Sequence, residues 1–140
     1  MIVYRLARQP FAEDLSGVGA AKVGGRCNRP GVRAVYTAEN ISLAVLEVLV
    51  HLDKHDLPMD YVLLAIEVPS TVPIHESDWR AAFADSDRRR HPVIATPSVI
   101  VPRERNFVLY PDVLDFSARV LWMERFAFDE RLFAGGAPLQ

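Results

Sequence analysis

One carboxylate stands out of keeping with its surroundings. Glu47 lies in A-V-L-E-V-L-V (44–50), a run apolar enough to predict a helix buried on most sides. A carboxylate taken out of water is costly unless it is hydrogen-bonded, paired or put to use. Its neighbours leave two readings open: a side chain on a narrow wet stripe shared with His51, or a group held ready in a site. His51 and His55 are four apart, as zinc-binding histidines on one helix face can be, but neither a third ligand nor H-E-x-x-H accompanies them. No metal is expected. The glycines at 17–19 lack the third glycine of G-x-G-x-x-G, and no G-K-[ST] follows. What remains is Gly24-Gly25-Arg26, where small residues would let a ligand approach the backbone beside a guanidinium. An arginine fork suits pyrophosphate because it donates two hydrogen bonds at once. Turn chemistry accounts for the glycines as well. Cys27 has no histidine nearby in sequence to activate it and reads as a small loop filler. Arg88-Arg89-Arg90 with His91 reads as a solvated turn, and Ser98 carries no signal by itself.

The elements that must position these groups follow from pattern. Residues 2–8 (I-V-Y-R-L-A-R) read as a strand, 15–33 as a shaped loop holding five of the seven glycines, and 34–37 as a short strand. A helix is predicted from Asn40, which can cap it, to about Asp53, with Pro58 closing the exit. Residues 61–68 (Y-V-L-L-A-I-E-V) read as a central strand stopped by Pro69. A short helix is expected at 76–84 around Trp79, followed by a charged turn at 85–91. Both 97–102 and 106–111 look like strands bounded by proline, while 116–128 fits a strand or a helix equally well. The mix predicts an α+β fold with one or two helices on a curved, mainly antiparallel sheet.

At 140 residues the chain is expected to be a single domain, 1–140, with no repeat, linker or low-complexity tract. Half the residues are apolar and 24% are charged, which excludes a disordered chain. One cysteine excludes an intrachain disulfide and every multi-cysteine metal framework. Sixteen basic against eighteen acidic residues give a net charge of −2, which argues against nucleic-acid binding by bulk charge. No apolar run approaches the ~20 residues that span a bilayer, and Arg5 and Arg8 interrupt any signal-peptide pattern. A soluble, cytoplasmic protein is expected.

Taken in order, several segments resemble one known family. They are Tyr4-Arg5, then G-G-R-C-N (24–28), V-Y-T-A (35–38), S-L-A-V-L-E-V-L-V-H-L (42–52), L-P-x-D-Y (57–61), P-S-V-I-V-P-R-E-R-N (97–106) and F-D-E-R-L-F (128–133). Their joint order and spacing, from about residue 3 to 133, resemble the RES domain, the toxin half of RES–Xre toxin–antitoxin pairs. The resemblance implies a fold similar to ADP-ribosyltransferase toxins and cleavage of the nicotinamide–ribose bond of NAD, by phosphorolysis, hydrolysis or transfer of ADP-ribose to a protein. A catalytically inactive protein-binding module is the alternative of another class. Carried over residue by residue, the family's arginines fall on Arg5 and Arg26, its tyrosine on Tyr36, its glutamate on Glu47 and its serine on Ser98. Glu47, Arg26 and Ser98 are then expected to be catalytic, and Arg5, Arg26, Tyr36 and Ser98 to bind the nucleotide. NAD is substrate, with no separate cofactor. The implied partner is an Xre-like helix-turn-helix antitoxin blocking the active site, with a homodimer within that complex left open. Two positions depart from the family pattern: Cys27, where an aromatic residue usually follows the arginine, and Tyr110, where asparagine usually precedes Pro111.

Overall fold

The computed structural model describes residues 1–53, 55, 57–113 and 118–133. Among these residues seven strands form one sheet: β1 (Ile2–Arg8), β2 (Val35–Ala38), β3 (Tyr61–Glu67), β4 (Ile74–Glu76), β5 (Val93–Pro97), β6 (Arg105–Leu109) and β7 (Arg119–Arg125). Their order across the sheet is β4-β5-β6-β2-β1-β3-β7, and every pairing is antiparallel except β4 with β5. Among the described residues three α-helices accompany it: α1 (Val18–Val23), α2 (Ile41–Leu49) and α3 (Trp79–Asp85). No described helix is long and apolar enough to cross a membrane.

β3 is interior, paired with β1 on one edge and β7 on the other, and six of its seven residues are buried. A strand covered on both faces needs an unbroken apolar run, as Y-V-L-L-A-I supplies. Residues 116–128, readable either way in sequence, contain β7, because the free edge of β3 supplies the partner that periodicity alone cannot reveal. The glycine-rich segment is not all loop: α1 occupies its middle, ended by Gly24 at φ 75°. The strand expected at 97–102 is a turn instead. β5 stops at Pro97, and the Ser98 hydroxyl accepts the N–H groups of Ile100 (3.1 Å) and Val101 (3.0 Å), which bends the chain back toward β6. β4 was not foreseen; its three residues are all exposed and carry no buried-face pattern.

α2 begins where expected, with the Asn40 side chain accepting from the Leu43 N–H at 2.8 Å. It ends at Leu49, earlier than Asp53, and is less enclosed than its composition suggests: only Leu43 and Ala44 are fully buried. The helix packs across β1 and β2 and leaves one flank half-buried rather than covered.

β1 and β2 are adjacent but barely joined. They share one registered pair, Tyr4 opposite Ala38, whereas β1 pairs with β3 along its whole length and β2 pairs with β6 residue by residue. No other registered pair joins the two strands. The sheet therefore opens at its middle, and both ends of the opening carry residues singled out in the sequence.

Candidate active site

The opening forms a cleft of about 300 Å³ beneath α2. Arg5 and Leu6 of β1, Tyr36 of β2, Arg26 of the glycine-rich loop, Glu47 of α2 and His51 of the turn beyond it line it together. Five elements and loops thus converge on one concavity of the size that binds small ligands.

Glu47 is neither adrift on a wet stripe nor ion-paired. Its Oε1 accepts two hydrogen bonds, from Ser98 Oγ at 2.7 Å and from Asn106 Nδ2 at 2.8 Å. Its Oε2 has no partner among the described residues. One oxygen is anchored and the other is offered to the cleft. That arrangement fixes the carboxylate's direction without neutralising it, as a preorganised electrostatic group requires.

Ser98 stands behind Glu47, not in the cleft. It is 2% exposed, its proton is committed to Glu47, and its oxygen already accepts two backbone N–H groups. Its contact with the site runs through the carboxylate. Asn106, which the sequence reading did not single out, does the same from β6 and also lines the cleft.

The Gly24–Asn28 loop is held by a small hydrogen-bond network. Asn28 is fully buried; its Nδ2 donates to the carbonyls of Ala20 (3.0 Å) and Val32 (2.9 Å), and its Oδ1 accepts from Tyr36 Oη at 2.5 Å. Tyr36 Oη in turn accepts the Cys27 N–H at 2.9 Å. Burial pushes both the Tyr36 and Tyr110 hydroxyls well above the usual phenol range, so both remain donors. Tyr110 Oη donates to the Cys27 carbonyl at 2.8 Å. The two departures from the family pattern therefore touch each other: the long side chain at 110 bonds the backbone carbonyl of residue 27.

The glycines serve this network. A Cβ at Gly25 would stand 2.6 Å from Tyr36 Oη and 2.8 Å from Asn28 Oδ1, so only glycine fits. Cys27 is buried, and burial raises its thiol to about 11 against a smaller opposing effect of Arg26. At neutral pH it is an inert filler, as its sequence context suggests.

The two arginines differ. Arg26 is exposed, with its guanidinium 5.2 Å from the centre of the Trp79 ring, a cation–π distance. Trp79 is the first residue of α3 and lines the same cleft. Arg5 is partly buried, and its Nη1 donates to the carbonyls of Asp14 (2.9 Å) and Ala12 (3.3 Å). Burial lowers its pKa, with Asp14 acting in the opposite sense. Thr96, also in the cleft wall, is 3% exposed, and its hydroxyl has no hydrogen-bond partner. His55 does not reach the cleft lining, and among the described residues no cluster of three His, Cys, Asp or Glu side chains is placed to hold a metal.

The model of the RES domain matches residues 2–129. The chain belongs to the RES domain family. A relative named Toxin Res, from Photorhabdus laumondii subsp. laumondii, is 37% identical in an alignment covering 94% of this chain and 97% of that protein. The Prs ADP-ribosylating toxin of Sphingobium sp. (strain YBL2) is 34% identical, over 90% of this chain and 91% of its own. Among solved structures, the crystal structure of the M. tuberculosis MbcT-MbcA toxin-antitoxin complex contains a chain that matches with a TM-score of 0.67. The match covers 89% of this chain and 83% of that one at 17% identity, which is a likeness of fold. In this RES domain Arg5, Arg26, Tyr36 and Glu47 face one cleft, and Ser98 supports Glu47 from behind.

Proposed function

We propose that this chain is the toxin of a toxin–antitoxin pair and cleaves the nicotinamide–ribose bond of NAD in the cytoplasm. The observation that carries this reading is Glu47, anchored through one oxygen and open through the other inside a cleft that also presents Arg5 and Arg26. Breaking a glycosidic bond passes through an oxocarbenium-like state. A fixed carboxylate stabilises that positive charge, and it needs no reorganisation at the moment of reaction. In this proposal Glu47 meets the ribose, the arginines hold the pyrophosphate, and Tyr36 lies against nicotinamide. Ser98 and Asn106 are positioning residues acting through Glu47. Thr96 holds a buried, unpaired hydroxyl in the wall of the same cleft.

The acceptor of ADP-ribose is phosphate, as in an NAD phosphorylase, or water, as in a glycohydrolase. A second reading, transfer to a protein, draws on the name of the Sphingobium relative, an ADP-ribosylating toxin. Chromatographic analysis of NAD incubated with purified chain, with and without inorganic phosphate, separates these. ADP-ribose 1-phosphate marks phosphorolysis, and free ADP-ribose marks hydrolysis. Intact NAD in both, together with no labelled protein, overturns enzymatic NAD cleavage and favours a binding module.

Arg26 is expected to act in binding. Arg26→Lys keeps the charge and loses the bidentate fork, so the KM for NAD should rise more than kcat falls. A pure kcat defect would place Arg26 at the reacting centre instead.

The proposed partner is an Xre-like helix-turn-helix antitoxin that blocks the cleft, and a homodimer of the toxin within that complex fits the same reading. The name of the M. tuberculosis structure, a toxin-antitoxin complex, supports a protein partner for this fold. A cleft with two arginines suits an acidic or carboxylate-bearing segment. NAD or ADP-ribose should then compete with the antitoxin, and Arg26→Glu should weaken the complex. Antitoxin affinity unchanged by saturating nucleotide would rule out direct occlusion.

A further inference from the structure

The cleft around Glu47 has a neighbour. A second cavity of about 260 Å³ adjoins it, and Arg5, Leu6 and Tyr36 line both. Its other walls include Phe11, Asp14 and Gly17 from the segment between β1 and α1, and the start of α1 itself. Both cavities occupy the opening where β1 parts from β2. At about 300 Å³ the first is at the lower limit for ligand pockets, which run ~300–1,000 Å³ for drug-sized molecules. NAD is two nucleosides joined by a pyrophosphate, larger than such molecules, and one small cleft leaves half of it without a place.

The second cavity has the chemistry for that half. Phe11 is 61% exposed on its wall and makes no ring contact among the described residues. An exposed phenylalanine is ordinary by itself, but on a cavity wall its face is open to a planar base. Asp14 presents a carboxylate on this wall, its Oδ1 accepting the Ser16 N–H at 2.9 Å and the group also bonded by the Ser16 side chain. A carboxylate there accepts from sugar hydroxyls and repels phosphate. Arg5 stands on the shared wall with its Nε and Nη2 donors uncommitted among the described residues. A partly buried guanidinium with free donors between two cavities is placed for an anion that spans them.

We infer that the second cavity is the subsite for the adenosine half of the dinucleotide, with the base against Phe11, the ribose hydroxyls toward Asp14 and the pyrophosphate crossing Arg5. The inference rests on the NAD reading above and adds a specificity to it. A phosphate on the adenosine ribose would meet the Asp14 carboxylate, so NAD is preferred over NADP.

Calorimetric titration of the full chain with ADP-ribose and with nicotinamide mononucleotide tests this without relying on turnover. Phe11→Ala should weaken ADP-ribose about tenfold, the scale of one lost base–aromatic stack, and leave nicotinamide mononucleotide, which lacks adenosine, unchanged. Phe11→Tyr, which keeps the ring, should bind ADP-ribose as the native chain does. Asp14→Asn should narrow the gap between NAD and NADP. Because Phe11 is mostly exposed, the melting temperature should not move. Unchanged ADP-ribose affinity in Phe11→Ala, or an equal loss for both ligands, overturns the subsite. If ADP-ribose binds in a Phe11-dependent way while the native chain leaves NAD intact, the cleavage reading falls and the subsite stands. If neither ligand binds, both fall.

Discussion

Glu47→Gln is expected to fold as the native chain does and to lose NAD turnover by about 100-fold or more, the scale of removing one preorganised charged group. The substitution is well matched to the local geometry. Both hydrogen bonds to Glu47 arrive at Oε1, from Ser98 and Asn106. A glutamine carbonyl oxygen in that position accepts both, while its amide nitrogen takes the place of the open Oε2. The support is kept and the negative charge is lost. A 100-fold loss corresponds to ~2.7 kcal/mol at the transition state, and the melting temperature should change little. Near-native turnover in a folded Glu47→Gln chain would remove the carboxylate from the chemistry and, with it, the proposed mechanism.

What the sequence reveals here depends on how local each interaction is. β1, β3 and α2 were legible because their signals are contained in the elements: alternation, an unbroken apolar run, and an asparagine cap three residues before the N–H it accepts. Glu47 was legible as an anomaly for the same reason, a carboxylate amid apolar neighbours. Its meaning was not, since Ser98 and Asn106 lie 51 and 59 residues away. Arg5, Tyr36 and Ser98 entered through the family resemblance, and no spacing in the chain points to them, whereas Arg26 was already marked by the two glycines before it. The same limit explains the errors. P-S-V-I-V-P has strand composition, but a serine hydroxyl capturing two following N–H groups makes a turn. V-G-A-A-K-V is too short, at six residues, to display a helical period. β4 exists because β5 offers it a parallel edge, not because three exposed residues prefer a strand.

Asn28 was quoted only as the last letter of a motif, yet the geometry gives it the largest expected effect on stability. It is fully buried at the base of the loop that carries Arg26. Its amide satisfies the carbonyls of Ala20 and Val32 and its oxygen receives Tyr36 Oη, so each polar atom of the side chain is used. Asn28→Ala leaves these partners without their bonds in a place water does not reach. Each orphaned buried group costs ~1–3 kcal/mol, and a total of about 3 kcal/mol would lower Tm by about 10 °C in a chain of this size. Asn28→Asp should be no milder. It keeps an acceptor for Tyr36 but turns a carboxylate oxygen toward two carbonyl oxygens, with no donor and no cation to offset its burial. Tyr36→Phe, which removes one hydroxyl and leaves the Asn28 amide bonds in place, should cost less than either. Thermal unfolding of the three variants checks the order. Because the loop positions Arg26 over Trp79, the KM for NAD should rise in Asn28→Ala at temperatures where it is still folded. A change in Tm below 2 °C would mean that the loop is held by its glycine turns alone, and that the Asn28 network is a consequence of the fold, not one of its causes.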